Sequence, residues 1–529
     1  MKGFRIPNYF WYFLAVALCL PAFLINLDLI TLNEDESIRA LVALEMRLSG
    51  DYFTPTLNGT LYYSKPPLYN WILNISYTLM GSLNEWALRI PTLFFLMVYA
   101  FTIYYYSQKY YDRQFAFINA MLFVTCGRIL FWDSMLGYID MCYSWVTYME
   151  LMVIFHCYHK GQYLKMFLLS SFLAAVGFLL KGFPTILFQG LSLVVFFGYQ
   201  KDLKRLLSKE HLFGILVFCA IVGSYYLYYY SANPEGRAIT GLLDQSTRRT
   251  LMHDTHTIWD FFRHLIIYPF QNTYDFFPWS IMVIYLFRRD LLKILFKNEF
   301  IKYCAIIFGV NILVYWASIE VYPRYILMLI PILFSVFLYL HKLHYEDETV
   351  LYKVFIYFSI ATIIVGAFLG IVFPFMERLN DVSIPILKGA AVSVSLIFIA
   401  YYFYHHKQQR LITLISALLI IRIGFNWFIL PDRHEHDPAT AYKQQAISVG
   451  ERYKDEDLRI WERTKIDYTS SFYISSTRGR ITERDMEHED EQVYYVIDEE
   501  KYQVPDSFEI VDQFQIRERD KILSIVQKK

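Results

Sequence analysis

Residues 32–71 read LNEDESIRALVALEMRLSGDYFTPTLNGTLYYSKPPLYNW. An apolar run over 9–30, long enough to cross a bilayer as a helix, comes just before. The chain then places Glu34, Asp35 and Glu36 at the lipid boundary, and thirty residues later a lysine, Lys65, followed by Pro66 and Pro67. Charge this dense is costly in hydrocarbon, so the stretch reads as a loop in water between membrane segments. The apolar spacing of IRALVALEMRL predicts an amphipathic helix along the membrane surface, with Asp35 and Arg39 on one face. The prolines fix the backbone after Lys65 and keep it out of a helix interior.

The same alternation of long apolar blocks and charged connections runs through the chain. Of its 529 residues, 56% are hydrophobic and 19% aromatic. The apolar residues fall in blocks of about 18–23, the length of a membrane-spanning helix. Spans are predicted near 9–30, 87–107, 114–131, 138–157, 163–180, 183–199, 211–230, 267–287, 301–317, 324–341, 352–374, 384–404 and 411–430, about thirteen in all. The shorter stretch 67–80, interrupted by Asn70, Asn74 and Ser76, reads as a surface or re-entrant helix. The N-terminal run is too long, and lacks the cleavage site, for a secretory signal. It reads as a retained first span.

Lys plus Arg and Asp plus Glu number 49 each, so there is no basic excess and no nucleic-acid partner is expected. The basic residues cluster in alternate short connections, among them Lys201, Lys204 and Arg205, and Arg288, Arg289 and Lys293. By the positive-inside rule these loops and the N-terminus are cytoplasmic. The set containing 31–86, 231–266, 318–323 and 375–383 is then extracytoplasmic, as is the C-terminal end. From Pro431 the composition turns polar, and stretches such as VYYVIDEEKYQV and FEIVDQFQI read as strands with helix near 438–453. The expected organisation is an all-α polytopic domain over 1–430 and a small α/β domain over 431–529. All six cysteines lie in or beside apolar blocks and read as small buried residues.

For the acidic cluster the plainer reading is a favourable helix start; for Lys65 it is a snorkelling lysine at lipid headgroups. Rigidly held, however, Lys65 can grip a phosphate as a point charge. His253 and His256 (HDTH) are candidate ligands for a divalent cation, as are His434, Glu435, His436 and Asp437; the plainer reading of both is solvated loop histidines. No GxxxxGK[ST] loop is present, so no nucleotide is implied.

Taken in order, DESIR, EM, SGD, LNG, SKPPLYNW, Arg89 in WALRIP, Asp140, LLKGF at 179–183, FPW at 277–279 and PRYILMLIP at 323–331 resemble the polyprenyl-phosphate-sugar glycosyltransferases. This membrane family includes the protein O-mannosyltransferases and the lipid A aminoarabinose transferases, and the chain is most similar to the latter branch. The resemblance implies a GT-C type membrane fold in the inner (plasma) membrane. It also implies a polyprenyl (undecaprenyl-type) phosphate sugar donor and a lipid or protein acceptor. It makes Asp35 the acid that positions or deprotonates the acceptor, Glu36 its neighbour and Asp140 a second acid, with Asp133 the rival for that role. Lys65, Arg248 and Arg249, Arg324, Tyr325 and Tyr62 become the donor-phosphate site. Three departures leave sugar, acceptor and metal open: Ser64 stands where the branch has an acid, Glu320 where it has lysines, and the arginine after the acidic pair comes one residue late.

The chemistry expected of such an enzyme fits these residues. Breaking the bond from anomeric carbon to phosphate builds charge on the departing phosphate, which nearby cations stabilise most in the transition state. A carboxylate meanwhile orients or deprotonates the acceptor. A transporter or flippase, the rival expectation, would instead carry charge near the bilayer midplane.

Overall fold

The computed structural model describes residues 8–250, 258–379, 382–487, 492–517 and 521–529. Long apolar helices account for most of it. Among the described residues, seven are long and apolar enough to cross a membrane: Glu85–Ser107, Tyr163–Lys181, Lys209–Ala232, Glu299–Trp316, Val350–Phe375, Pro385–His405 and Lys407–His436. A bent pair, Arg113–Val124 and Gly127–Met135, makes up to eight. Shorter apolar helices cover Tyr9–Leu24 and Pro184–Tyr199.

The predicted span 267–287 is not one helix. A helix ends at Asp275 and a 3-10 segment follows over Trp279–Leu286. Pro278 has no N–H to continue a helical ladder, and the Phe277 carbonyl accepts from the Gly127 N–H at 2.6 Å instead.

The connection after the first helix, α1 (Asn8–Leu24), carries α2 (Glu34–Ser49), a short hairpin of β1 (Thr56–Leu57) and β2 (Thr60–Leu61), and α3 (Leu68–Met80). Helix α4 (Glu85–Ser107) follows, its first turn capped by the Asn84 side chain on the Ala87 N–H. The expected surface helix is α2, but it is not spread on lipid. Ala40–Met46 are all buried, and α2 is covered by α3 and by a C-terminal helix, Tyr468–Arg478. Its charges mislead a simple amphipathic reading because they are buried with partners. Glu45 accepts the N–H groups of Asn58 (2.6 Å) and Gly59 (3.2 Å) and so anchors the hairpin. Burial raises its pKa to about 6.

The C-terminal region forms a five-stranded mixed sheet in the order β4-β3-β5-β7-β6, from β3 (Asp457–Trp461), β4 (Arg484–Asp485), β5 (Val493–Ile497), β6 (Phe508–Gln515) and β7 (Ile522–Lys528). β3 runs parallel to β4 and β5, while β7 pairs antiparallel with β5 and β6. Helix Pro438–Arg452 lies where helix was predicted. Helix Tyr468–Arg478, not predicted, connects the parallel strands β3 and β4, and packs on α2. The Ser37 and Thr469 hydroxyls share a hydrogen bond of 2.6 Å, and the Arg484 N–H donates to the Asn58 carbonyl at 3.1 Å. The sheet-bearing region is thus seated on the loop between α1 and α4.

That loop is pinned by one ion pair. Arg89 of α4 and Glu36 of α2 are both fully buried, with Nε–Oε1 2.8 Å and Nη2–Oε2 3.0 Å. Arg89 also donates to the Leu27 carbonyl at 2.7 Å, and Glu36 accepts the Gly137 N–H at 2.7 Å. A Cβ on Gly137 would lie 2.8 Å from a Leu88 side-chain carbon and 3.2 Å from Glu36 Oε1, so the close approach requires glycine. Removing one partner of such a pair strands a buried charge and costs roughly 3–5 kcal/mol. Arg89→Met should therefore lower the melting temperature of the solubilised protein sharply. The double variant Glu36→Leu/Arg89→Met should lose less than the two single variants added together. Thermal melts showing additive or absent losses would contradict this role.

Candidate functional site

A charged cavity of about 190 Å³ opens where α2, the segment after β2, two apolar helices and the C-terminal region meet. Each contributor reaches it for a local reason. Asp35 lies in the first turn of α2, and its side chain is 53% exposed. Arg39, one turn later, is buried, and its guanidinium lies 5.0 Å over the Tyr62 ring and hydrogen bonds to the Tyr62 hydroxyl. Tyr62 and Lys65 follow β2, and the buried Pro66 and Pro67 hold that segment up to the start of α3. Asp140 is the first residue of helix Asp140–His159, a favourable place for a carboxylate. Lys181 closes helix Tyr163–Lys181. Arg324 and Tyr325 sit in a single 3-10 turn, Pro323–Ile326.

The charges are interlocked. Arg324 bonds to the Asp35 carboxylate and lies 3.3 Å from Asp140 Oδ2, so one guanidinium bridges the two acids. Lys181 donates to the other oxygen of Asp140. Its ammonium also lies 4.1 Å from the Tyr325 ring centre, and Arg324 lies 4.6 Å from that of Tyr138. Lys65 Nζ is 3.5 Å from Gln245 Oε1. Four cations, Arg39, Lys65, Lys181 and Arg324, thus line the cavity against two carboxylates, Asp35 and Asp140. A wall with surplus positive charge and one exposed acid suits an anionic ligand that reacts beside a base. One Arg39 guanidinium nitrogen, Nη1, is buried without an acceptor among the described residues.

The cavity shares Lys65, Lys181, Gln245 and Tyr325 with a second space of about 190 Å³. That space runs along Phe183, Leu187, Phe188, Val314 and Val321 and is mostly apolar, with Glu320 at its rim. A phosphate at the shared wall would have an apolar channel for its tail.

Of the predicted site residues, Asp35, Asp140, Lys65, Tyr62, Arg324 and Tyr325 line the one cavity. Glu36 does not: both its oxygens are engaged by Arg89 and backbone N–H groups in the interior. Asp133 is also outside the lining, paired with Arg128 at 3.0 Å. Arg248 and Arg249 belong to helix Ala238–Thr250, which supplies Gln245 one turn earlier, but their side chains are not among those described. His253 and His256 lie outside the described residues. Among the described residues no three His, Cys, Asp or Glu side chains come together as a metal site. His436 lies 3.2 Å from Asp432 Oδ1, and Asp437 caps the following helix on the Ala439 N–H.

Sequence reasoning assigned no role to Lys181, Gln245 and Tyr468, and paired Arg39 with Asp35 only as a helix face. Lys181 had a signal: a lysine closing a long apolar stretch, in the LLKGF match. Tyr468 had none, because it arrives from the far C-terminal region.

Residues 64–229 match the family described as dolichyl-phosphate-mannose-protein mannosyltransferase. Relatives include the undecaprenyl phosphate-alpha-4-amino-4-deoxy-L-arabinose arabinosyl transferase of Yersinia enterocolitica. It is 28% identical over 195 residues, covering 36% of this chain and 33% of that protein. The enzyme of the same name from Shewanella sediminis is 27% identical over 205 residues, 36% of each. The chain thus matches about a third of the length of these relatives. In three dimensions it superposes on ArnT from Cupriavidus metallidurans bound to undecaprenyl phosphate, with a TM-score of 0.70, 16% identity and 98% of both chains covered. Over about a third of its length the chain is similar in sequence to polyprenyl-phosphate-sugar-dependent membrane glycosyltransferases, the aminoarabinose transferases among them, and over nearly all of it the fold is that of ArnT.

Proposed function

We propose that this chain is an integral-membrane glycosyltransferase that moves a sugar from a polyprenyl-phosphate carrier to a lipid or protein acceptor. The observation that carries the reading is the charged cavity joined through Lys65, Lys181, Gln245 and Tyr325 to an apolar channel. A lipid phosphate needs both. The names of the relatives, which specify an undecaprenyl phosphate aminopentose donor, support the donor class and favour a pentose-sized sugar; a lipid A-like acceptor is what the resemblance of the motifs to the aminoarabinose branch implies.

In this mechanism Lys65 and Arg324 hold the donor phosphate, and Arg248 or Arg249 approaches from helix Ala238–Thr250. As the glycosidic C–O bond to phosphate breaks, these cations take up the growing negative charge. Asp35 accepts the acceptor's proton, or orients an acceptor already ionised, on the opposite side of the anomeric carbon, giving inversion. Before substrate arrives Asp35 is tied to Arg324; an incoming phosphate competes for that arginine and releases the carboxylate. Asp140 keeps Lys181 and Arg324 in place. Glu36 acts only through its pairing with Arg89.

The remaining expectations extend this reading. The chain crosses the inner membrane about thirteen times, the shorter and broken helices included. Its N-terminus is cytoplasmic, and residues 431–529 form a separate extracytoplasmic domain that covers the site through Tyr468.

Comparing glycolipids and glycoproteins by mass spectrometry in cells with and without the chain should show loss of a sugar of aminopentose or hexose mass; no difference would contradict the reading. Asp35→Asn should reduce transfer by about a thousandfold, within the span usual for an acid–base group, while donor binding persists. Near wild-type turnover would remove Asp35 from the chemistry. Lys65→Ala should weaken donor binding by about ten- to a hundredfold, the worth of a charged hydrogen bond. Unchanged donor affinity would remove Lys65 from the phosphate site.

A further inference from the structure

We propose that a second cavity, distinct from the one lined by Asp35 and Lys65, binds the phosphate of a lipid headgroup. It measures about 300 Å³, and its lining includes Arg378, Arg433, Arg517 and His436. The three arginines come from distant parts of the chain. Arg378 follows helix Val350–Val372, Arg433 is in the last turn of helix Arg410–His436, and Arg517 lies just past β6.

Local carboxylates do not neutralise them all. Asp432 accepts from Arg378 Nε at 2.6 Å and is 3.2 Å from His436 Nδ1. Asp437 is engaged by the Ala439 N–H. Arg433 lies over the Phe425 ring, at 5.3 Å, and Arg517 reaches the Leu32 carbonyl at 3.4 Å; neither has a carboxylate partner among the described residues. Both are exposed at the cavity mouth, so their donors are available to a ligand.

Guanidinium forks match the oxygens of a phosphate, and the rest of the wall indicates what the phosphate is attached to. Ile30, Trp132, Met135 and Leu136 make that wall apolar. Arg433 lies in the last turn of one helix apolar enough to span a membrane, and Arg378 three residues past the end of another. The ligand is therefore phosphate at one end and hydrocarbon at the other. Thr31 and Asn33 also line the cavity, and Asp35 follows two residues later, at most about 7 Å along the chain. Read with the proposed function, on which this last step alone rests, the lipid held here is the acceptor, anchored within reach of Asp35.

The test is binding without turnover, so its failure would leave the transferase reading standing, and loss of transfer would leave this site standing. The full chain in uncharged detergent is titrated with dihexanoyl phosphatidic acid, dihexanoyl phosphatidylcholine and inorganic phosphate. Saturable binding of the phosphatidic acid is expected, with the other two weaker by about tenfold, the scale of a charged hydrogen bond. Arg433→Gln/Arg517→Gln should weaken it by a similar factor, and so should Arg378→Gln, whose 61% exposed side chain makes misfolding an unsuitable explanation. Arg452→Gln, which removes an exposed arginine paired with Asp512 outside the lining of this cavity, should leave it unchanged. The proposal is overturned by absent saturation, by cavity-arginine variants (Arg378→Gln or Arg433→Gln/Arg517→Gln) that bind as wild type does, by an equal loss in Arg452→Gln, or by inorganic phosphate binding as tightly as the lipid, which would mark a free-phosphate site.

Discussion

The buried pair Glu36–Arg89 is the constraint on which the site depends. Asp35 and Glu36 are consecutive carboxylates in the first turn of α2, and successive helical residues point about 100° apart. Glu36 is fully buried and locked to Arg89, Asn33 and Gly137. With Glu36 committed inward, Asp35 is left at the cavity wall beside Arg324. The pair also joins α2 to α4 and to the 136–137 turn just before Asp140, so both acids of the cavity are placed through one interaction. A buried ion pair contributes little net stability over an apolar substitute; here its value is orientation.

The cavity is assembled from chain segments that are far apart, and each supplies one charge. Asp140 lies between Lys181 and Arg324, and Arg324 lies between Asp140 and Asp35. Such a chain of alternating charge holds its members in place without ligand, and the surplus of cations leaves it short of negative charge. Under the proposed function a phosphate would supply what is missing. The apolar space sharing Lys65 and Lys181 explains why the phosphate would be that of a lipid. Glu320 places an acid in the wall of that apolar space, where the resemblance to the aminoarabinose branch implies lysine.

Much of this was legible in the sequence because the membrane restricts the alternatives. Long apolar blocks can only be helices, and charges between them must be in loops or paired. Six of the predicted site residues share one cavity for that reason. The misreadings have equally physical causes. Helix α2 looked amphipathic because Glu36, Arg39 and Glu45 are charged, yet all three are buried with partners no periodicity reveals. Glu36 and Asp35 are indistinguishable in sequence; only the position of Arg89 separates their roles. The break near Pro278 leaves the Phe277 carbonyl to Gly127, about 150 residues earlier in the chain, a partner no local pattern shows. Tyr468 and the cover over α2 depend on the sheet region folding back across the loop.

The most direct measurement is a structure of the chain in lipid nanodiscs with undecaprenyl phosphate added. The account predicts the phosphate between Lys65 and Arg324, the Asp35–Arg324 contact opened, and the polyprenyl tail along Phe183, Leu187 and Val314. Phosphate density elsewhere, with Asp35 still bound to Arg324, would contradict it.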